Sequence, residues 1–288
     1  MINKLKLLPK AGWLILNKCF ANSAKDYDKA SKEYDNYFTN IMGKYSSELI
    51  DKLDIDLKQD VLELACGTGH ITYRIGSSLA SGSKIVAVDQ SEGMMDVAKK
   101  KVSTLTHLNI EFIKNDMISA LKDIADESFD LVVCGWAICY VNPVQFLKEI
   151  KRVLRINGKV AIIETRSDSE KALDDIFERI LAEDTSYMKK YLSLNLPSNS
   201  SELNKWFTKA GITVEEIWEG EQVLPFYGVE GAMEWIDKSG AASGLIDIID
   251  ESRKVEFIKK VEEYVRKYIE AGNELNLKHT LVAGIGKK

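Results

Sequence analysis

Between Asp60 and Thr165 the chain alternates short apolar runs with stretches whose apolar residues recur at helical spacing. Val61-Leu62-Glu63-Leu64 reads as a strand, followed by a glycine-containing turn and a helix from about His70 to Leu79. Lys84–Val88 reads as a second strand with a helix over Glu92–Val102, and Asn109–Ile113 as a third strand. Phe129–Cys134 reads as a fourth strand with a helix over Pro143–Leu154, and Lys159–Ile163 as a fifth. Strands and helices alternating this closely predict right-handed βαβ units, hence a parallel sheet with helices on both faces. Asn142 suits a helix cap with Pro143 in the first helical position. Asn157-Gly158 suits the turn into the fifth strand.

The second half has a different rhythm. Residues 166–198 read as a long, partly helical connection, Leu203–Lys209 as a short helix and Ile212–Trp218 as a sixth strand. Residues 224–272 are largely helical in pattern, with an apolar stripe at Val255, Ile258, Val261, Val265 and Ile269. Leu277–Ile285 reads as a closing strand. The expected organisation is an arm with lid helices over 1–45, a core over 46–165, a connection with its helix over 166–211, and closing strands over 212–288. Helices inserted at 224–272 form a cap, expected over the carboxyl edge of the sheet, where α/β proteins bind ligands.

The N-terminus adds a separate feature. Residues 1–20 carry Lys4, Lys6, Lys10 and Lys18, no acid, and the apolar run Trp13-Leu14-Ile15-Leu16. Pro9 and Lys10 leave that run too short for a signal peptide, and its length excludes a membrane span. An amphipathic arm that docks on its own domain, or on a second subunit in a homodimer, is the plain expectation. Peripheral membrane contact is the sharper one.

Composition narrows the function classes. With 45% hydrophobic and 29% charged residues, 288 residues suffice to bury a globular core. A net charge of −5 argues against nucleic acid as the main partner. The four cysteines, Cys19, Cys66, Cys134 and Cys139, have no zinc or redox spacing, which predicts free thiols in the cytoplasm. The three histidines, His70, His107 and His279, show no ligand spacing either, so no metal is expected.

The chemistry starts at the first strand's end. Glu63-Leu64-Ala65-Cys66-Gly67-Thr68-Gly69 runs a strand into a small-residue turn and a helix, where backbone N–H groups face a ligand. Position 72 is Thr72, so the third glycine of a dinucleotide loop is absent, and no P-loop lysine follows. Asp89 ends the second strand, about 20 residues beyond the turn, where an acid accepts from a ribose diol. Asn115-Asp116-Met117 ends the third strand, where a carboxylate suits an adenine amino group with Met94 and Met117 beside the ring.

Taken together, Leu62–Gly69, Val88-Asp89-Gln90-Ser91-Glu92-Gly93-Met94, Asn115-Asp116 and Phe129-Asp130-Leu131-Val132 resemble the motif series of class I S-adenosylmethionine (SAM)-dependent methyltransferases. One departure is Ala65, which stands where the family carries its first glycine. The resemblance covers residues 25–165 and extends to the closing strand. It implies a Rossmann-like, seven-stranded, mostly parallel sheet with the last strand antiparallel. It further implies that Glu63 faces the methionine amino group and that Ala65, Cys66 and Gly67 pass close to the methionine moiety. Asp89 with Gln90 would hold the ribose; Asn115, Asp116, Met94 and Met117 would hold the adenine. Cys134-Gly135-Trp136 would border the methionine end and the acceptor.

The run Tyr27–Tyr37 is similar to the family's lid helix, with Tyr27, Tyr34 and Tyr37 closing over the cofactor. Trp235–Gly240, Leu245–Asp247 and His279–Gly284 are loosely similar to the cap and last strand of trans-aconitate-type and malonyl-carrier-type methyltransferases. The implied reaction is in-line methyl transfer to a small-molecule oxygen, nitrogen or carbon acceptor. An aligned, electrophilic methyl needs little further help, although a hydroxyl or amine acceptor can need a base. Tyr140 and His279 are the catalytic candidates, with His70 and Glu164 behind them. Tyr37, Trp136 and Tyr140 are the candidates for the acceptor pocket. The alternatives are a nicotinamide-dependent oxidoreductase on a related fold, a non-catalytic scaffold or subunit, and another use of the same cofactor such as aminopropyl transfer.

Overall fold

The computed structural model describes residues 2–22, 24–239, 245–275 and 277–288; Gly240 of the cap resemblance lies outside them. The chain forms two compact units, each assembled from separated stretches. One comprises Met1–Phe38, Asp168–Ser193 and Gln222–His279; the other comprises Thr39–Ser167, Leu194–Glu221 and Thr280–Lys288.

The second unit is built on one sheet. Its strands are β1 (Asp60–Leu64), β2 (Lys84–Asp89), β3 (Asn109–Lys114), β4 (Phe129–Gly135), β5 (Leu154–Thr165), β6 (Thr213–Val223) and β7 (Lys278–Lys287). They lie in the order β3-β2-β1-β4-β5-β7-β6. The pairs among β1–β5 are parallel, and β7 runs antiparallel to β5. This is the mostly parallel, seven-stranded sheet expected from the motifs. Numbered along the chain, its helices are α3 (Asn40–Asp51), α4 (His70–Gly76), α5 (Glu92–Val102), α6 (Met117–Asp123), α7 (Pro143–Val153) and α9 (Ser200–Ala210). Leu62, Leu64, Val86, Val88, Val132 and Ile162 point to one face and are buried with Phe146, Ile150 and Phe207 of α7 and α9. Alternation along β1 sends Val61 and Glu63 to the opposite face, both buried. Asn142 accepts from the Gln145 N–H at 3.1 Å with Pro143 at the helix start, as the sequence predicts.

Several boundaries differ from the sequence reading. The fifth strand begins at Leu154, because Phe129 pairs Leu154 before a register shift brings Leu131 opposite Lys159. Asn157, at φ 68°, turns the intervening chain. The short helix α6 was not expected. Its seven residues are too few to set an apolar period.

The first unit is helical: α1 (Ile2–Leu16), α2 (Ala24–Ala30), α8 (Lys171–Glu183), α10 (Gly228–Lys238) and α11 (Lys254–Glu270). Here α1 and α11 both pack on α8, and α10 packs on α11. The core collects Leu14, Ile176, Phe177, Ile180, Tyr187, Trp235 and Phe257. The predicted α11 stripe needs correction: Phe257, Val261 and Val265 are buried, while Val255 is exposed. The lid helix needs correction too. Tyr27–Tyr37 is not one helix; α2 ends at Ala30, a turn follows, and a π-helical turn runs Asp35–Thr39. Among the described residues no helix is long and apolar enough to cross a membrane.

Candidate functional site

The chain places β2 and β3 on one side of β1 and β4 on the other, so the carboxyl ends of β1 and β4 form the sheet's topological switch point. Open α/β sheets bind ligands there, because the loops diverge and leave a crevice. Register aligns the tips: Leu64 sits opposite Val88 of β2 and Cys134 of β4, and Asp89 opposite Lys114 of β3. Backbone bonds continue past the strand ends, from Cys66 N to Val88 O at 2.9 Å and from Asn115 N to Asp89 O at 3.0 Å. The loops are therefore held in place before any ligand arrives.

The turn after β1 is made of left-handed residues: Ala65 at φ 61°, Gly67 at 52° and Gly69 at 78°. A Cβ placed on Gly67 would meet no atom within 4 Å, so the backbone there faces open space that a ligand can approach. Ala65 keeps the turn in place of the expected glycine, at the cost an L side chain incurs in this region. Ala65→Gly is therefore expected to raise stability by about 0.5–1 kcal/mol, after the greater freedom of glycine in the unfolded chain is discounted. Urea unfolding of the two proteins checks it; a less stable variant would mean that the methyl group packs usefully.

The three acids expected at the tips differ in state. Glu63 is buried under α4, and its Oε2 accepts from the Thr72 hydroxyl at 2.5 Å. Burial pushes its carboxyl up to about 8; the Thr72 hydrogen bond opposes the rise and the Asp89 charge adds to it. Thr72 thus explains why no third glycine stands at that position. Asp89 accepts from Gly67 N and from Ser91 N, each at 2.8 Å, so it braces the glycine turn with the carboxylate proposed for the ribose. Asp116 caps α6 by accepting from Ser119 N at 2.8 Å, and hydrogen bonding from Ser119 holds its carboxyl below the usual range.

The remaining residues of this unit fall around those tips. Gln90 is exposed and Asn115 half-buried, its Oδ1 accepting from Asp116 N. Met94 and Met117 are buried, and Met117 Sδ lies 3.9 Å from Cys134 Sγ. Burial pushes the thiols of Cys66 and Cys134 well above their usual value, so both stay protonated and neither is a nucleophile. Trp136 follows β4 in the left-handed region at φ 59°, its Nε1 donating to Ser46 Oγ at 2.9 Å. A bulky residue held there marks backbone that the surroundings over-determine. Tyr140 is half-buried at the end of a 3₁₀ turn over Ile138–Tyr140. His70 is tied to Gly43 O and Ser47 Oγ at 3.0 and 3.2 Å, which joins α4 to α3. Asp130, from the fourth-strand motif, instead accepts from Asp60 N and Arg155 at the amino end of the sheet.

The other unit gathers the three tyrosines and His279. Tyr27 meets Tyr34 edge-on at 6.1 Å, Tyr34 lies 5.1 Å from Phe38, and Phe38 meets the His279 ring at 5.8 Å. His279 is buried, with Nδ1 3.2 Å from Glu170 Oε1. The other Glu170 oxygen accepts from Trp235 Nε1 at 2.7 Å. Tyr37 stacks on Phe226 and donates to Glu234 at 2.6 Å, which ties it to α10. Glu170 was missed by the sequence reading. It sits 109 positions from His279 and carries no motif, and its left-handed φ of 50° shows only in coordinates.

A family model described as a methyltransferase domain matches residues 55–215. A demethylmenaquinone methyltransferase of Lactococcus lactis is 28% identical over 169 residues, which cover 54% of this chain and 66% of that protein. A demethylmenaquinone methyltransferase of Bacillus cereus is 27% identical over 224 residues, 70% of this chain and 90% of its own. The chain spans just under two thirds of the length of the first curated relatives it matches. Among solved structures, a Bacillus halodurans protein described as a methyltransferase superposes with a TM-score of 0.58 at 21% identity, covering 85% of this chain and 99% of that one. That likeness concerns the fold.

Proposed function

Because the chain belongs to the methyltransferase-domain family, we propose that it is an enzyme transferring the methyl group of SAM to a small-molecule acceptor. The observation that carries this reading is the set of strand tips around the turn at Gly67: a buried Glu63, a braced Asp89 and a capping Asp116, beside backbone open to a ligand. The fit to the cofactor is good in each part. Glu63 would hold the α-amino group, Ala65, Cys66 and Gly67 would pass along the methionine chain, and Asp89 with Gln90 would take the ribose hydroxyls. Asn115 and Asp116 would meet the adenine, with Met94 and Met117 beside it, and Cys134 would border the methionine end. When bound, SAM supplies a methyl on a sulfonium sulfur, already electrophilic. What falls to these residues is alignment and exclusion of water. The nicotinamide alternative is disfavoured because Thr72, in place of a third glycine, is spent on Glu63.

Asp89→Ala is expected to weaken SAM at least tenfold, because it removes both the ribose acceptor and the brace on Gly67. Calorimetry with SAM, and with NAD as a control, tests this. Unchanged SAM affinity in the variant, or tight NAD binding without a SAM response, would remove the reading.

The acceptor is a small molecule in this proposal, and a quinone is the class suggested by the relatives' names. His279 is proposed as the base for an acceptor that must lose a proton, with Glu170 fixing its tautomer through Nδ1. Tyr140 and Trp136 are proposed to line the acceptor pocket. His279→Gln is expected to lower turnover at least tenfold while SAM affinity holds. Equal turnover, with a quinone or with any acceptor found by screening, would leave His279 a packing residue.

A further inference from the structure

We propose that the outer face of α1 docks on an anionic lipid surface. The helix is apolar on two faces. Leu7, Ala11 and Leu14 recur at helical spacing and turn inward, with Leu14 fully buried and α1 packed on α8. Leu8 and Ile15 lie about 100° round the helix from Leu7 and Leu14, and Leu5 and Leu16 continue that outer stripe with Pro9 and Gly12. Leu5, Leu8, Ile15 and Leu16 are exposed, Leu5 and Leu8 by more than 60% and Leu16 by 84%. Trp13 and Phe20 are also more than half exposed. Single exposed leucines are ordinary, but a contiguous apolar helix face beside an aromatic ring marks an interaction surface.

The arm presents this face as a fixed part of its unit. Tyr191 N donates to Cys19 O at 2.7 Å and Ala21 N donates to Tyr191 O at 3.0 Å, while Phe20 pairs with Tyr191 as a short bridge. Asn22 N donates to Asp247 at 2.8 Å. The helix is thus clamped at its carboxyl end and along its inner face, leaving the outer face turned to solvent.

Charge selects the occupant. Residues 1–25 carry Lys4, Lys6, Lys10, Lys18 and Lys25 and no acid, although the sequence as a whole has a net charge of −5. A second copy seated face to face would bring two such lysine sets together around an apolar seam. A bilayer bearing anionic headgroups meets both features at once: leucines and tryptophan enter the acyl boundary while lysines stay among the phosphates. Lys10 lies 5.3 Å from the Trp13 ring centroid, which pairs a cation with the aromatic at the edge of the face. This inference stands on the arm alone and does not depend on the identity of the acceptor.

The test is sedimentation of the full-length protein with phosphatidylglycerol–phosphatidylcholine vesicles against pure phosphatidylcholine vesicles. Binding is expected to the anionic vesicles, falling several-fold as salt rises from about 0.1 M to about 0.5 M. Leu8→Glu combined with Leu16→Glu is expected to reduce it at least tenfold with an unchanged melting temperature. Lys6→Gln with Lys18→Gln is expected to reduce it several-fold and to flatten the salt dependence. Failure to bind anionic vesicles, or equal binding to neutral ones, overturns the proposal. So does a dimer in analytical ultracentrifugation that the paired leucine substitutions disperse.

Discussion

Glu63→Gln is expected to make the protein more stable at alkaline pH while weakening its hold on SAM. The carboxyl is buried at the end of β1, and burial pushes it up to about 8 against 4.5 for an ordinary glutamate. A carboxyl raised in the folded state keeps a proton there that the unfolded chain has released. Stability is therefore fullest below the unfolded value, declines as pH climbs between the two, and is lowest above about 8. Glutamine removes that slope and still accepts from the Thr72 hydroxyl through its amide oxygen. The gain at pH 9 should be roughly 3–5 kcal/mol, with little difference at pH 4.

Ligand binding should move the other way. An α-amino group titrates at about 7.7–8.0, so an ammonium facing an ionised Glu63 is best satisfied near pH 8. Affinity for SAM is expected to fall toward about tenfold per unit below that pH in the native protein. The glutamine variant should bind more weakly at pH 8 and lose the acid limb. Urea unfolding and calorimetry across pH 4–9 check both halves, because that range spans the ordinary glutamate value of 4.5 and the raised value of about 8. A native affinity that is flat from pH 6 to pH 8 would separate Glu63 from the ammonium. This is the exchange of stability for function that buried charges at sites commonly make.

What could be read from the sequence follows from distance along the chain. The parallel strands were visible because each is a short apolar run bounded by turn residues, and helix starts such as Asn142-Pro143 carry their own cap chemistry. The candidate site was legible where one loop carries it: Ala65, Gly67 and Gly69 stand within five residues, and Asp89 follows one strand later. What the residue types left open was the use of each acid. Asp130 stood in the motif series without a role of its own, and the fold gives it one: with Asp60 it holds Arg155 at the far end of the strands, Arg155 lying 95 positions from Asp60. Glu170 was invisible for the same reason, because only the fold brings it to His279. The break in the Tyr27–Tyr37 run was hidden because nothing in Ser31-Lys32-Glu33 is a strong helix breaker. Beyond the break, the Tyr34 ring packs against Phe38 with centroids 5.1 Å apart.

Gly69→Ala is expected to cost about 3 kcal/mol of stability and most of the cofactor affinity. Two independent penalties meet at this residue. Its φ of 78° lies where an L side chain loses about 1–2 kcal/mol. Its Cβ would also stand 2.8 Å from the Ala98 Cβ and 2.9 Å from the Ala98 Cα, inside contact distance of backbone that cannot swing away. Relief requires α4 and α5 to separate, at an overpacking cost of about 1–3 kcal/mol. Because Cys66 O accepts from Gly69 N at 2.9 Å, the displacement reaches the turn that carries Gly67. Gly67 differs in an instructive way: its φ of 52° brings the conformational penalty, but open space removes the steric one. Gly67→Ala should therefore fold with a smaller loss and fail mainly in binding. A double-mutant cycle with Ala98→Gly isolates the contact at Gly69. Removing the facing Cβ should restore only part of the steric loss, since the Ala98 Cα remains in the way, and none of the φ penalty, which belongs to residue 69 itself. If Gly69→Ala unfolds at the native urea midpoint, the close approach of the two helices plays no part in holding the loop.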